Sequence, residues 1–253
     1  MTIQDQQTIR NYIEKSPSSI TRWVSSQWKG ILAEFTATLF LIVFGCMSAV
    51  PIEGLPMNPV MYTPLTFGMT VMFNIQIFGH LSGAYMNPFV TVAAIIFGRI
   101  SVSVGVVYIV AELVGASLGY GILIGVAPVD MAGEGVCLTL PHSNINEWQA
   151  VGVEILLSAA LSLVNCSVWD PVNESRQDSV PLKYALTISG LALAGGPLTG
   201  GSMNPARSFG PALWSMRWES HWVYWVGPFV GGIVPAVFYK YIWLKKKDSD
   251  KLP

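Results

Sequence analysis

Two asparagine–proline pairs carry the side chains best placed to do chemistry in this chain. One lies in Gly200-Gly201-Ser202-Met203-Asn204-Pro205-Ala206-Arg207, and the other, 117 positions earlier, in Gly83-Ala84-Tyr85-Met86-Asn87-Pro88-Phe89. In each, proline suits the first turn of a helix, where its missing N–H is no loss, and the preceding asparagine can cap that turn. An amide held toward a lumen this way offers a neutral solute a hydrogen-bond donor. No nucleophile, acid–base couple or metal-ligand cluster accompanies either pair, so the sequence predicts no enzyme, no metal and no cofactor. A third pair, Asn58-Pro59, falls in a loop and takes no part in this pattern.

The elements around the two pairs repeat as well. With Asn87 set on Asn204, Pro64-Leu65 falls on Pro181-Leu182 and Gly83 on Gly200 without a gap, and Tyr108 on Tyr224 with one. Most of the chain is thus one unit written twice, and a period this long reads as a duplicated domain, not a solenoid. Hydrophobic residues make up 52% of the chain and charged ones 11%, and the mean hydropathy is +0.49. A soluble domain carries about 25% charge, so this composition places the chain in a membrane. Apolar runs predict six spans, at about 30–50, 61–80, 101–127, 149–169, 181–197 and 221–244. Gly115 and Gly119, and again Gly227 and Gly231, give small residues four apart for close helix approach. The apolar segments after the two pairs, Val90 to Phe97 and Phe209 to Trp214, are too short to cross ~30 Å of hydrocarbon and read as half-helices. Three spans per half turn the second copy upside down. The fold expected is therefore an all-α membrane protein with an inverted 3+3 repeat, six transmembrane helices and two re-entrant half-helices meeting at the midplane.

Charge distribution orients the chain independently. Arg10, Lys15, Arg22, Lys29, Arg99, Arg176, Lys183, Lys240, Lys245, Lys246, Lys247 and Lys251 fall on one side, whereas loops 51–60 and 128–148 hold only acidic charges, with Arg217 the exception. By the positive-inside rule both termini are cytoplasmic, the sequon at Asn173 is unused, and the Lys245 run anchors the topology. No cleaved signal peptide is expected, and the cell membrane is the expected location. The organisation is then a cytoplasmic segment 1–28, a first repeat 29–130, an extracellular loop 131–148, a second repeat 149–244 and a cytoplasmic tail 245–253. Cys46, Cys137 and Cys166 lack metal-like spacing; Cys46 and Cys166 sit in apolar runs and are expected to serve packing.

Two half-helices meeting head to head place two positive dipole ends and two amides at one point. The approaches Gly83, Ala84, Tyr85 and Gly200, Gly201, Ser202 leave backbone carbonyls free to line a path. A neutral hydrogen-bonding solute is passed along this ladder, and cations, protons included, meet a positive barrier. An ion-coupled transporter could share the inverted repeat, but it would need a charged coupling site at the midplane, where the sequence offers only Asn87 and Asn204.

Gly79-His80-Leu81-Ser82-Gly83-Ala84-Tyr85-Met86-Asn87-Pro88 and Gly200 to Gly210, within six spans carrying Glu34 and Glu154 near the start of each half, resemble the aquaporin or major intrinsic protein family over about residues 28–244. The resemblance implies an hourglass fold in membrane lipid and a homotetramer with one pore per subunit. It also implies passive flow of water or small uncharged solutes, with no role for nucleic acid. It implies a narrow filter at Phe67, Ala192, Gly201 and Arg207, a midplane at Asn87, Pro88, Phe89, Asn204, Pro205 and Ala206, and structural braces at Glu34 and Glu154. Water-selective members carry histidine where this chain has Ala192, so the filter is expected to be wider and more apolar and to admit glycerol and urea. Ser208, Ala212, Tyr224 and Trp225 instead look like the water-channel type. The mixture resembles the insect channels called entomoglyceroporins, and the alternative is a water-selective pore.

Phe89 departs from the family's alanine, and its ring either narrows the pore or repacks between half-helices. His80 reads equally as a pore-lining or a buried histidine. Glu112 reads as a hydrogen-bonded brace or a proton relay. His142 and His221 lie at outer edges and need no role.

Overall fold

The computed structural model describes residues 19–54 and 59–244, and among these residues all regular secondary structure is helical. Six long helices alternate with two short ones in the order the repeat predicts. They are α1 (Ser19–Met47), α2 (Pro59–Ser82), the half-helix α3 (Pro88–Phe97) and α4 (Val102–Val126) in the first copy. After a single turn, α5 (Met131–Glu134), the second copy follows with α6 (Glu147–Trp169), α7 (Val180–Thr199), the half-helix α8 (Pro205–Ser215) and α9 (Val223–Phe238).

Hydropathy and length together make these elements spans. Within α1 (Trp23–Met47), α4 and α6 the apolar stretch is long enough to cross a bilayer by composition alone. The 24 residues of α2 and 20 of α7 give lengths of about 36 and 30 Å at the helical rise. Helix α9 is 16 residues and is lengthened by a π-helical turn, Tyr239–Trp243. Helix α1 starts eleven residues before the expected Gly30, because Trp23, Trp28 and Lys29 continue the helix through the interface where aromatic and basic side chains settle. The half-helices are only 10 and 11 residues long, about 15 Å each. Helix α6 opens on a reciprocal capping box between Asn146 and Gln149.

Close helix approach rests on the paired glycines. A Cβ at Gly115 would lie 2.4 Å from the Phe35 carbonyl oxygen and one at Gly119 2.6 Å from that of Leu39, so α4 rides directly on the α1 backbone. The second copy repeats the device between α9 and α6: the corresponding distances are 2.5 Å from Gly227 to the Glu154 Cβ and 2.3 Å from Gly231 to the Ile155 carbonyl oxygen. Because the neighbour at Gly231 is backbone, it cannot step aside. Gly231→Ala is expected to lower stability by about 1–3 kcal/mol, read as a drop in thermal midpoint in detergent, and an unchanged midpoint would contradict this packing.

The outward face of α4 is a stripe of Val102, Val106, Val110, Val114, Leu118, Ile122 and Val126, all exposed and four apart. That stripe faces lipid or a neighbouring subunit, and the charges lie elsewhere.

The cysteine expectation needs correction. Cys46, at the end of α1, and Cys137, in the loop after α5, form a disulfide with Cα atoms 5.4 Å apart, whereas Cys166 is free and buried as expected. The partners are 91 residues apart, and spacing alone does not reveal such a pairing. Of the basic residues that oriented the chain, Arg10, Lys15, Lys245, Lys246, Lys247 and Lys251 lie outside the described residues, as do Asn58 and the side chain of Arg22.

Candidate functional site

Each half-helix is entered through a loop of left-handed residues. Gly83, Ala84 and Met86 have φ of 102°, 50° and 53°, and their counterparts Gly200, Gly201 and Met203 have 80°, 56° and 51°. For a non-glycine residue that conformation costs roughly 1–2 kcal/mol, so something must hold it. Glu34, fully buried in α1, accepts the Tyr85 N–H at 2.9 Å through Oε1 and the Met86 N–H at 2.8 Å through Oε2. In the second copy Glu154 accepts the Ser202 N–H at 3.0 Å and the Thr199 hydroxyl at 2.7 Å through Oε1, and the Met203 N–H at 2.8 Å through Oε2. Glu34→Gln puts an NH2 against one of these N–H groups and leaves it without an acceptor. The expected loss is about 1–3 kcal/mol, seen as earlier thermal aggregation in detergent; equal midpoints would mean that Glu34 does not brace the loop.

The two loops are stitched to each other at the asparagines. Asn87 Nδ2 donates to the Met203 carbonyl at 2.7 Å, and Asn204 Nδ2 donates to that of Met86 at 2.8 Å. Their Oδ1 atoms cap the half-helices, Asn87 accepting from the Phe89 N–H at 3.2 Å and Asn204 from those of Ala206 and Arg207 at 2.9 and 3.2 Å. Both amide oxygens and one proton of each NH2 are committed, and each NH2 retains a second proton.

Two cavities meet at this pair, one of about 280 Å³ on the side of Cys137 and one of about 580 Å³ on the side of Arg99. They share only Asn87, Asn204 and the aliphatic collar Leu41, Val71, Leu161 and Ile188. Gly83, Ala84 and Tyr85 line the larger, Gly200, Gly201 and Ser202 the smaller. Among the described residues no protein donor reaches these six carbonyls.

The smaller cavity also contains Phe67, Ala192, Gly201 and Arg207. The Arg207 guanidinium carbon stands 4.9 Å from the centre of the Phe67 ring, and Nη1 donates to the Cys137 carbonyl at 2.6 Å. Two of these lining positions are bare: Ala192 presents a methyl, and a Cβ at Gly201 would come 3.2 Å from the Ala192 Cα, so the loop lies flat on α7.

The model of the family described as major intrinsic protein matches residues 21–239. The chain belongs to that family. Mouse aquaporin-4 is 37% identical over 230 residues, covering 87% of this chain and 69% of the relative. The lens fiber major intrinsic protein of Lithobates pipiens is 37% identical over 217 residues, covering 86% and 82%. Among solved structures, the aquaglyceroporin from Plasmodium falciparum superposes with a TM-score of 0.76 over 85% of this chain and 96% of that one, at 23% identity, and shows the shared fold. This major intrinsic protein is a multi-pass membrane channel for water or small solutes, and not an enzyme.

Within this major intrinsic protein, Phe89 is wholly buried and lines neither cavity. Its ring occupies the space a side chain at position 232 would need: a Cβ on Gly232 would sit 2.2 Å from Phe89 Cδ2. The other copy has Ala206 at the Phe89 position and Ala116 at the Gly232 position, so the enlarged ring is matched by a deleted methyl. Glu112 is buried, touches neither cavity and accepts the Thr91 hydroxyl of α3 at 2.5 Å, a brace geometry. His80 is exposed at the rim of the larger cavity, not buried. Ser208 bonds the hydroxyls of Thr139 at 2.8 Å and Ser202 at 2.6 Å, tying α8 to its own loop. His142 donates its backbone N–H to the Leu198 carbonyl, and His221 packs edge-on against Trp218.

Three positioning residues carried no sequence signal. Lys240 Nζ donates to the Ile96 carbonyl at the C-terminal end of α3, where a cation complements the helix dipole. Trp214 Nε1 ties the end of α8 to the Ser117 carbonyl of α4 at 2.8 Å. Cys137 supplies the acceptor for Arg207 through its backbone, and a backbone role is invisible in side-chain identity.

Proposed function

We propose that this channel passes glycerol and urea as well as water, and excludes ions and protons. The observation that carries the reading is that Phe67 and Arg207 share their cavity with two bare positions, the Ala192 methyl and the Gly201 backbone. A carbon backbone slides along Phe67 and the bare wall while its hydroxyls bond the guanidinium. At the midplane the free amide protons of Asn87 and Asn204 accompany the positive ends of α3 and α8, so a permeant is held by its oxygen and a cation is repelled. The unpaired carbonyls of the two loops supply acceptors along the way. The reading is tested by light scattering from reconstituted vesicles in glycerol, urea and impermeant osmotic gradients.

The second reading, a water-selective pore, draws on the Ser208–Ser202–Thr139 network, since a serine there departs from the aspartate of glycerol-conducting members. Two of the relatives it resembles are named as an aquaporin and a lens fiber major intrinsic protein. Solute flux in the same vesicles separates the two readings.

The channel's orientation follows from charge and redox chemistry. Arg99, Arg176, Lys183 and Lys240 sit toward one end of the helices, and the Cys46–Cys137 disulfide toward the other. Disulfides persist in oxidising surroundings, which supports cytoplasmic termini and an extracellular mouth at Cys137 in the plasma membrane. A homotetramer in lipid, one pore per subunit, suits the apolar outer stripes of α4 and α9.

A further inference from the structure

The last turn of α1 touches both Phe67 and the loop that holds Arg207. Gly45 lies against Phe67, whose ring stands 2.5 Å from where a Cβ would be, and the next residue, Cys46, is bonded to Cys137. Cys137 is a non-glycine residue at φ 68°, and its carbonyl accepts the Arg207 guanidinium at 2.6 Å. The segment leading to it is held on the α4 side too, because the Tyr120 hydroxyl lies 2.9 Å from the Met131 carbonyl and 2.7 Å from that of Val136. One covalent bond therefore connects the helix turn that backs Phe67 to the backbone acceptor that holds Arg207.

We propose that the Cys46–Cys137 disulfide is a positioning element of the filter, which keeps the Cys137 carbonyl aimed at Arg207 and so holds the guanidinium on the wall against Phe67. A backbone at positive φ costs free energy for any residue but glycine, and the cross-link offsets that cost. When the S–S bond is cleaved, the 135–138 turn relaxes toward ordinary dihedrals and its carbonyl turns away. The desolvated guanidinium then finds its hydrogen bonds in the lumen, where it obstructs permeation. The proposal rests on Arg207 forming the constriction, one part of the reading above, and is independent of which solutes pass.

The test uses osmotic water flux, so a failure of the glycerol reading does not affect it. Vesicles containing the full-length channel are treated with a phosphine reductant, which takes up oxygen from water as the S–S bond becomes two thiols, and conversion is counted by thiol labelling after denaturation. Water permeability is expected to fall about threefold or more, the low end of coupling between residues of one network, and to recover on reoxidation. The Cys46→Ser/Cys137→Ser double variant is expected to show the low value with and without reductant. In an Arg207→Ala background, reduction is expected to change nothing, because the element being positioned is gone. Unchanged water flux in fully reduced wild-type channel overturns the proposal. So does an equal loss on reduction in the Arg207→Ala background, which would mean that the disulfide only holds the fold.

Discussion

Ala192→His is expected to abolish glycerol and urea uptake by reconstituted vesicles while leaving osmotic water permeability within about twofold, a split that a filter contact produces and a folding defect does not. The position lines the smaller cavity together with Phe67 and Arg207. An imidazole there cannot turn toward Gly201, whose backbone already lies against the Ala192 Cα. It must project into the lumen, where it takes up room and offers a second hydrogen-bonding group beside the guanidinium. Water needs little width and exchanges hydrogen bonds between the two groups, so its barrier changes little. Glycerol must bring a carbon chain past the same point. A barrier rise of about 1.4 kcal/mol already lowers its flux tenfold, and crowding a full side chain against the solute adds about 1–3 kcal/mol. Glycerol flux that persists in the variant would take Ala192 out of the filter.

Phe89→Ala tests the other departure from the family pattern and has the largest expected effect on stability. The ring is wholly buried in the cluster that includes Leu157, Leu161 and Phe229, and it fills the vacant side of Gly232. Emptying that site should cost about 3–5 kcal/mol, the range for deleting a buried phenylalanine, and lower the thermal midpoint in detergent. Permeability per folded channel should stay unchanged, since the ring borders neither cavity. Adding Gly232→Ala to Phe89→Ala recreates the alanine pairing of positions 206 and 116 and should recover part of the loss, a coupling expected only for residues in contact. A rise in water or solute flux on removing the ring would instead make Phe89 a constriction.

Much of the fold was legible in the sequence because the bilayer imposes it. Spans need about twenty apolar residues, half-helices fall short of that, and the repeated Asn-Pro pairs identify which segments are halves. The glycine pairs at 115 and 119 and at 227 and 231 predicted close packing because small residues four apart have few other uses in a membrane helix. Boundaries were less legible: α1 runs on to Ser19 because the interface tolerates the Trp and Lys residues that end an apolar count. In the candidate site, side-chain identity pointed to Asn87 and Asn204 and the family resemblance to Phe67 and Arg207, but neither could show that each asparagine spends one donor on the opposite loop. The disulfide escaped because three cysteines allow several pairings and distance along the chain does not rank them. The ambiguity of Phe89 was likewise inherent, since its complement, Gly232, lies in another helix 143 residues away and matters only once α3 and α9 are seen in contact.

In the proposed reading, the wall left bare by Ala192 and Gly201 makes this a solute-conducting channel. The most direct test of that reading places wild-type vesicles in an inward glycerol gradient and follows their volume by stopped-flow light scattering. The expected result is rapid shrinkage as water leaves, then re-swelling far faster than in protein-free vesicles as glycerol enters through the pore. Rapid shrinkage followed by re-swelling no faster than in protein-free vesicles would contradict it and leave a pore for water alone.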